Sequence, residues 1–206
     1  MQYRPVTFSI FSVLFAIFLF LTYRVMTFGV LPMDTAIDDA INFPRHHSLF
    51  ETAAVITWLG SGKFLVPAVI LMALIFLFIN GRKSYAWKVV LVSLSGYGLV
   101  YLVKHLVKRE RPSFAGDDAS VFSYPSGHTF TGMMFFGLLS YFAIRYMHGP
   151  ARWLVISIAF ILAFSVGFSR IILEVHYASD ILASWLLGTM WFMLAGWFLR
   201  MQWRRG

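Results

Sequence analysis

Apolar residues run through this chain in long blocks separated by short polar breaks. From about Thr7 to Phe28 the only charge is Arg24, close enough to the end to snorkel into water. Comparable blocks cover about Phe64 to Ile79, Ala86 to Val107, Ser126 to Tyr146, Trp153 to Gly167 and Ala178 to Leu199. About 20 helical residues cross a hydrocarbon core of roughly 30 Å, so each block reads as a transmembrane helix. Ser48 to Leu59 is apolar but too short to span, and Gly60-Ser61-Gly62 breaks it. It is expected to lie in the interface or to pack on the bundle. Asn80-Gly81-Arg82-Lys83 and His148-Gly149-Pro150 stop one helix before the next begins. The predicted fold is all-α and polytopic: six transmembrane helices, with a short interfacial helical segment between the first and second spans. Residues 1–206 form one integral membrane domain in this reading.

Composition agrees with a membrane protein. Of 206 residues 59% are hydrophobic and only 13% charged, with mean hydropathy +0.74. A soluble domain carries roughly 25% charged residues. Met1-Gln2-Tyr3-Arg4 leads straight into the first block without a small-residue cleavage site, so no cleaved signal peptide is expected. The net charge of +8 fits basic loops and anionic lipid headgroups, and no nucleic-acid partner is inferred. Cysteine is absent, which excludes disulfides, thiolate metal sites and a cysteine nucleophile.

With the N-terminus inside, nine Lys/Arg fall on the inner side and eight on the outer. Three of the eight, Lys104, Arg111 and Arg170, lie where chemistry rather than topology accounts for them, which leaves nine against five. The expected orientation has both termini cytoplasmic and the site described next on the extracytoplasmic side.

Span parity brings four segments to one face: the ends of spans three and five and the starts of spans four and six. That face collects Lys104 and Arg111, Ser126 and His128, Arg170, then His176 and Asp180. Ionisable groups near membrane depth are functional candidates. Lys104 and Arg111 are seven apart, about two helical turns or ~10 Å, and can hold opposite sides of an anion. Their neighbours Lys108 and Arg109 read as an interfacial basic belt. Pro125-Ser126-Gly127-His128 opens a helix, whose N-terminus suits phosphate; Gly127 permits close backbone approach and Ser126 adds a hydroxyl. A turn that merely caps the span also explains Pro125 and Ser126, but not His128. His176 and Asp180 are four apart, so a helix puts the carboxylate within reach of the imidazole. A polar boundary between spans is the alternative for Ser169–Asp180 taken alone. Two histidines on one face allow one to attack phosphorus while the other protonates the leaving oxygen. The three cations would spread the charge of the phosphoryl oxygens.

Lys104-x6-Arg111-Pro112, Pro125-Ser126-Gly127-His128 and Ser169-Arg170-x5-His176-x3-Asp180 resemble the three motifs of the type 2 phosphatidic acid phosphatase (PAP2) superfamily, in order and spacing, across residues 104–180. The span layout resembles its membrane branch, which includes phosphatidylglycerophosphate and undecaprenyl pyrophosphate phosphatases. The resemblance implies a lipid phosphatase with His176 as nucleophile, Asp180 orienting it and His128 as general acid. It implies phosphate binding by Lys104, Arg111, Ser126, Gly127 and Arg170, and no metal or other cofactor. The partners it implies are a lipid phosphate and the bilayer, with no obligate protein partner. A lipid phosphotransferase using the same site (lipid A is one example) and a non-catalytic lipid-phosphate binding or transport protein are the alternatives. Glu174 is expected to form a structural salt bridge with Arg170, four residues before it, or to select substrate. His46 and His47 are read as interfacial, His105 as off the Lys104/Arg111 face, and Asp117 and Asp118 as a loop tip. Asp34, Asp38 and Asp39 are read as a solvated amphipathic segment, the alternative being that they hold a metal beside a pyrophosphate.

Overall fold

The computed structural model describes residues 3–41, 48–112 and 122–200. His46, His47, Asp117 and Asp118 lie outside the described residues. All regular structure among those described is helical: α1 (Tyr3–Phe28), α2 (Pro32–Ala40), α3 (Ser48–Trp58), α4 (Gly62–Phe78), α5 (Lys83–Val107), α6 (Gly127–Tyr146), α7 (Gly149–Ile172) and α8 (Ala178–Arg200). Among the described residues, five segments are long and apolar enough to cross a bilayer: Val6–Phe28, Ser48–Phe78, Lys83–Val107, Gly149–Ile172 and Ala178–Gly196. Large apolar side chains such as Phe8, Phe20, Leu71, Phe78, Leu94 and Phe160 point outward. They are compatible with a hydrocarbon surround and costly in water.

Two expected elements come out differently. Ser48–Trp58 is a separate helix, broken from α4 at residues 59–61 and packed on the bundle as expected, but the apolar stretch long enough to span counts α3 and α4 together from Ser48. α3 packs along α7, with Ile56 and Leu59 against the cluster of Leu65, Phe136, Ala159, Ala163 and Val166. The expected fourth span is α6, which is absent from the five because its glycines, threonines and Ser140 dilute its apolar character. Its position explains that composition. α6 packs against α4, α5, α7 and α8, so its side chains meet protein on most sides rather than lipid.

Around α6, α1 and α8 close one flank through Phe18, Leu21, Val25, Leu187 and Met190, and Phe76, Tyr85 and Phe142 join α4 and α5 to it on another. Small residues allow the close helix crossings that association in lipid depends on. A Cβ on Gly167 of α7 would lie 2.7 Å from the Trp185 ring and 2.9 Å from Ile181 on α8. That contact sets the α7–α8 spacing just before Arg170.

Candidate active site

His176 occupies the turn between α7 and α8, two residues before α8 begins, so its pairing with Asp180 is a helix-capping geometry rather than two residues of one helix. Asp180, third in α8, reaches back with Oδ2 to accept the Tyr177 N–H (3.1 Å), the carboxylate half of a capping box. The same oxygen lies 3.2 Å from His176 Nδ1 and accepts a short hydrogen bond from the Ser123 hydroxyl. His176 is 2% exposed and Asp180 fully buried. Burial pushes the His176 pKa down to about 3, with Arg111 and Arg170 adding to the lowering and Asp180 opposing it. The imidazole is therefore neutral at physiological pH, with Nε2 carrying a lone pair when Nδ1 holds the proton.

Nε2 faces Arg111, whose NH1 is 3.4 Å away and donates to the Val175 carbonyl at 2.9 Å. Arg170, at the end of α7, donates to Thr57 Oγ1 of α3 at 2.9 Å, and its carbonyl accepts from Val175 N at 3.2 Å. Lys104 donates to the carbonyls of Phe122 (2.6 Å) and Ser123 (3.2 Å), and its Cε lies 3.9 Å from where a Gly127 Cβ would sit. Lys104 thus ties the end of α5 to the loop that leads into α6.

The four predicted chain ends meet at one end of the bundle. Ser126 N donates to the Asp180 carbonyl at 3.4 Å, and Ser184 Oγ donates to the Ser126 carbonyl at 3.0 Å, joining the starts of α6 and α8. Ser126 is the N-cap of α6: fully buried, its Oγ accepts from Thr129 N (3.4 Å) and Thr129 Oγ1 (3.0 Å). The capping alternative for Ser126 is therefore realised. His128, second in α6, is braced by the α3–α4 turn, where a Cβ on Gly60 would lie 2.9 Å from the His128 carbonyl oxygen. His105 lies on the outside, with Nδ1 2.8 Å from the Tyr101 carbonyl, as its position on the helix predicts.

Two expectations are overturned. Arg109 is no interfacial lipid contact: it is 6% exposed and bridges Asp180 Oδ1 (2.5 Å) and Asp34 Oδ2 (2.7 Å). Asp34 is not solvated but 2% exposed; besides Arg109 it accepts from Leu31 N (3.0 Å), Ser179 N (2.8 Å) and Ser179 Oγ (2.9 Å). It caps its own helix and α8 together. Asp38 and Asp39 on the same helix are exposed, as expected of a solvated face, and partial desolvation and then the nearby Glu174 raise the pKa of the Asp38 carboxyl. Glu174 follows the end of α7 with φ 56°, in the left-handed region. Ser123 was missed because a lone serine in a polar loop carries no motif signal.

A buried neutral histidine backed by a carboxylate and flanked by cations is equipped to attack a phosphoryl group. The PAP2 superfamily matches residues 85–205, and the chain belongs to that superfamily as a membrane-embedded lipid phosphatase, a hydrolase of phosphoester bonds. It is 32% identical over 197 residues to phosphatidylglycerophosphatase B of Bacillus subtilis (strain 168), covering 94% of this chain and 93% of that protein. The crystal structure of the first transmembrane PAP2 type phosphatidylglycerolphosphate phosphatase from Bacillus subtilis superposes with TM-score 0.83 at 30% identity, over 100% of both chains. Aquifex aeolicus LpxE gives TM-score 0.62 at 26% identity, over 82% of this chain and 97% of its own.

Proposed function

We propose that this phosphatase, a single integral membrane domain, removes a phosphate from a phosphomonoester or pyrophosphate lipid at the outer face of a bacterial inner membrane. Phosphatidylglycerophosphate is the first candidate substrate, followed by phosphatidic acid and undecaprenyl pyrophosphate. The observation that carries the chemistry is the His176 environment: Nδ1 on Asp180, Nε2 toward Arg111 and a pKa of about 3. The preference for phosphatidylglycerophosphate rests on the Bacillus subtilis relative, which matches across nearly the whole chain.

In the first step the His176 Nε2 lone pair forms a bond to phosphorus as the bond from phosphorus to the leaving oxygen breaks, and His128 gives that oxygen its proton. Lys104, Arg111 and Arg170 carry the charge of the phosphoryl oxygens, with the α6 N-terminus at Ser126 and Gly127 as a further anion-favouring pole. Asp180 holds the Nδ1 proton in place and faces the positive charge that develops on the ring. In the second step His128, now unprotonated, takes a proton from water, which attacks phosphorus and releases phosphate and neutral His176.

Six crossings suit this reading: the five apolar segments and α6, which its neighbours cover. An even number places both termini on the same side. The excess of Lys and Arg there makes that side cytoplasmic.

The deciding experiment is phosphate release by purified protein from a panel of phosphatidylglycerophosphate, phosphatidic acid and prenyl pyrophosphate, with His176→Ala beside it. Release by wild type alone is expected; an equally active His176→Ala protein overturns the mechanism. Labelled lipid in place of free phosphate, with two lipids supplied, would identify a phosphotransferase. For orientation, an impermeant thiol reagent should label a cysteine placed at Asp118 and not one at Lys83, and the reverse pattern inverts the topology.

A further inference from the structure

Asp180 has a second oxygen, Oδ1, on the side away from His176, and the group bound there is charged. Arg109 NH1 donates to Oδ1 at 2.5 Å and to Ser179 Oγ at 2.8 Å, while NH2 donates to Asp34 Oδ2 at 2.7 Å. The guanidinium also lies 4.0 Å from the centre of the Tyr177 ring. Asp34, Arg109, Ser179 and Asp180 are all at least nine-tenths buried, and they come from α2, the α5 end and the α8 start. Charges so fully removed from water persist only when paired and hydrogen-bonded, which these are.

We propose that Arg109 and Asp34 are positioning residues for the phosphatase reaction, setting both the orientation and the effective charge of Asp180. The inference rests on the mechanism proposed above. The orientation follows from the fork of the guanidinium, which spans two carboxylates in one plane and so fixes Asp180 with Oδ2 turned to His176. Asp34 is itself locked by the Leu31 and Ser179 backbone N–H groups, so α2 acts as the anchor of the arrangement.

The charge follows from counting. Asp34 and Asp180 bring two negative charges to one guanidinium, and neutral His176 adds none. A single Arg109 facing Asp180 alone would cancel the carboxylate that must stabilise the ring as the N–P bond forms. Asp34 draws on the other half of the guanidinium, so Asp180 keeps net negative charge toward Nδ1. The positive charge on the ring then balances the cluster only in the transition state and phosphoenzyme, which favours bond formation over substrate binding.

The test is a double-mutant cycle on phosphate release. Asp34→Asn keeps an oxygen for Ser179 N but removes the charge, and Arg109→Lys keeps the charge but loses the fork. Each is expected to lower kcat about tenfold, the scale of a small misorientation at a reacting group, with KM within about twofold of wild type. In an Asp180→Asn background the same changes are expected to cost less than about twofold, because the carboxylate through which they act is gone. Unchanged kcat in both variants overturns the proposal, as does an equal loss in both backgrounds, which marks a role in the fold alone. If Arg109→Lys loses its thermal unfolding transition, Asp34→Asn carries the test; loss of the transition in both assigns the cluster to stability and overturns the proposal. An active His176→Ala protein would refute the phosphohistidine mechanism, an outcome separate from any result with Arg109 or Asp34.

Discussion

Replacing Gly60 by alanine probes how tightly the proposed general acid is held. Gly60 lies in the α3–α4 turn, and its backbone is not in the left-handed region, so alanine is not opposed by φ. What opposes it is space. The added Cβ would lie 2.5 Å from Val166 Cγ1, 2.9 Å from the His128 carbonyl oxygen and 3.2 Å from His128 Cβ. Carbon atoms rest at about 3.5–4.0 Å, so Val166 Cγ1 would have to retreat by roughly 1 to 1.5 Å and the His128 atoms by roughly half an ångström. Val166 is fully buried and β-branched, which leaves it little rotamer freedom, and the other obstacle is backbone. The strain therefore falls on the first turn of α6, which carries His128. Overpacking of this kind costs about 1–3 kcal/mol in stability. A displacement of about 1 Å at a reacting group costs about a hundredfold in rate, so half of that predicts about a tenfold fall in kcat. Thermal unfolding in detergent and phosphate release at saturating lipid measure the two effects. Gly62→Ala is the control, because no atom lies within 4 Å of its added Cβ. Wild-type kcat and stability in Gly60→Ala, or an equal kcat loss in Gly62→Ala, would refute the reasoning.

Other outcomes follow from the same cluster. Ser123→Ala removes one of three donors to Asp180 Oδ2 and should lower kcat by about tenfold, the value of a hydrogen bond to a charged group, with little change in KM; steady-state kinetics on a lipid phosphate decides it. His176 titrates near 3 when folded against 6.5 as a free side chain, so between those values the unfolded chain binds more protons. Stability should therefore be fully present above pH 6.5 and fall as pH drops through that window, and this component should be missing from His176→Asn in matched melts across pH. Tyr124→Phe deletes the buried hydroxyl contact with Thr22 (2.8 Å) that ties α1 to the loop before α6, and should cost about 1 kcal/mol of stability in the same melts.

Much of this molecule was legible along the chain because a bilayer imposes local rules. A crossing helix must be apolar over its own length, so most spans could be read segment by segment. α6 shows where the rule weakens: neighbouring helices cover it, so its composition no longer reports lipid contact. Span parity brought Lys104, Arg111, Ser126, His128, Arg170, His176 and Asp180 to one end, since an even or odd number of crossings fixes the side without any knowledge of packing.

What a charge does at that end was a tertiary decision. Arg109 and Asp34 sit 75 residues apart, and Arg109 and Asp180 sit 71 apart. Read singly, an arginine at the end of a span or an aspartate on a short amphipathic helix belongs in water or among headgroups, because burying a lone charge costs several kcal/mol. Only an opposite charge placed across the bundle reverses that, and no local pattern announces the partner. The same holds for Ser123 and Gly60, whose importance lies in the atom each approaches. The sequence alone determined which residues are the candidates for phosphoryl chemistry and that they fall on one side of the spans. The tertiary structure decided how His176 and Asp180 are held there, because desolvation and close contact depend on neighbours distant in the chain.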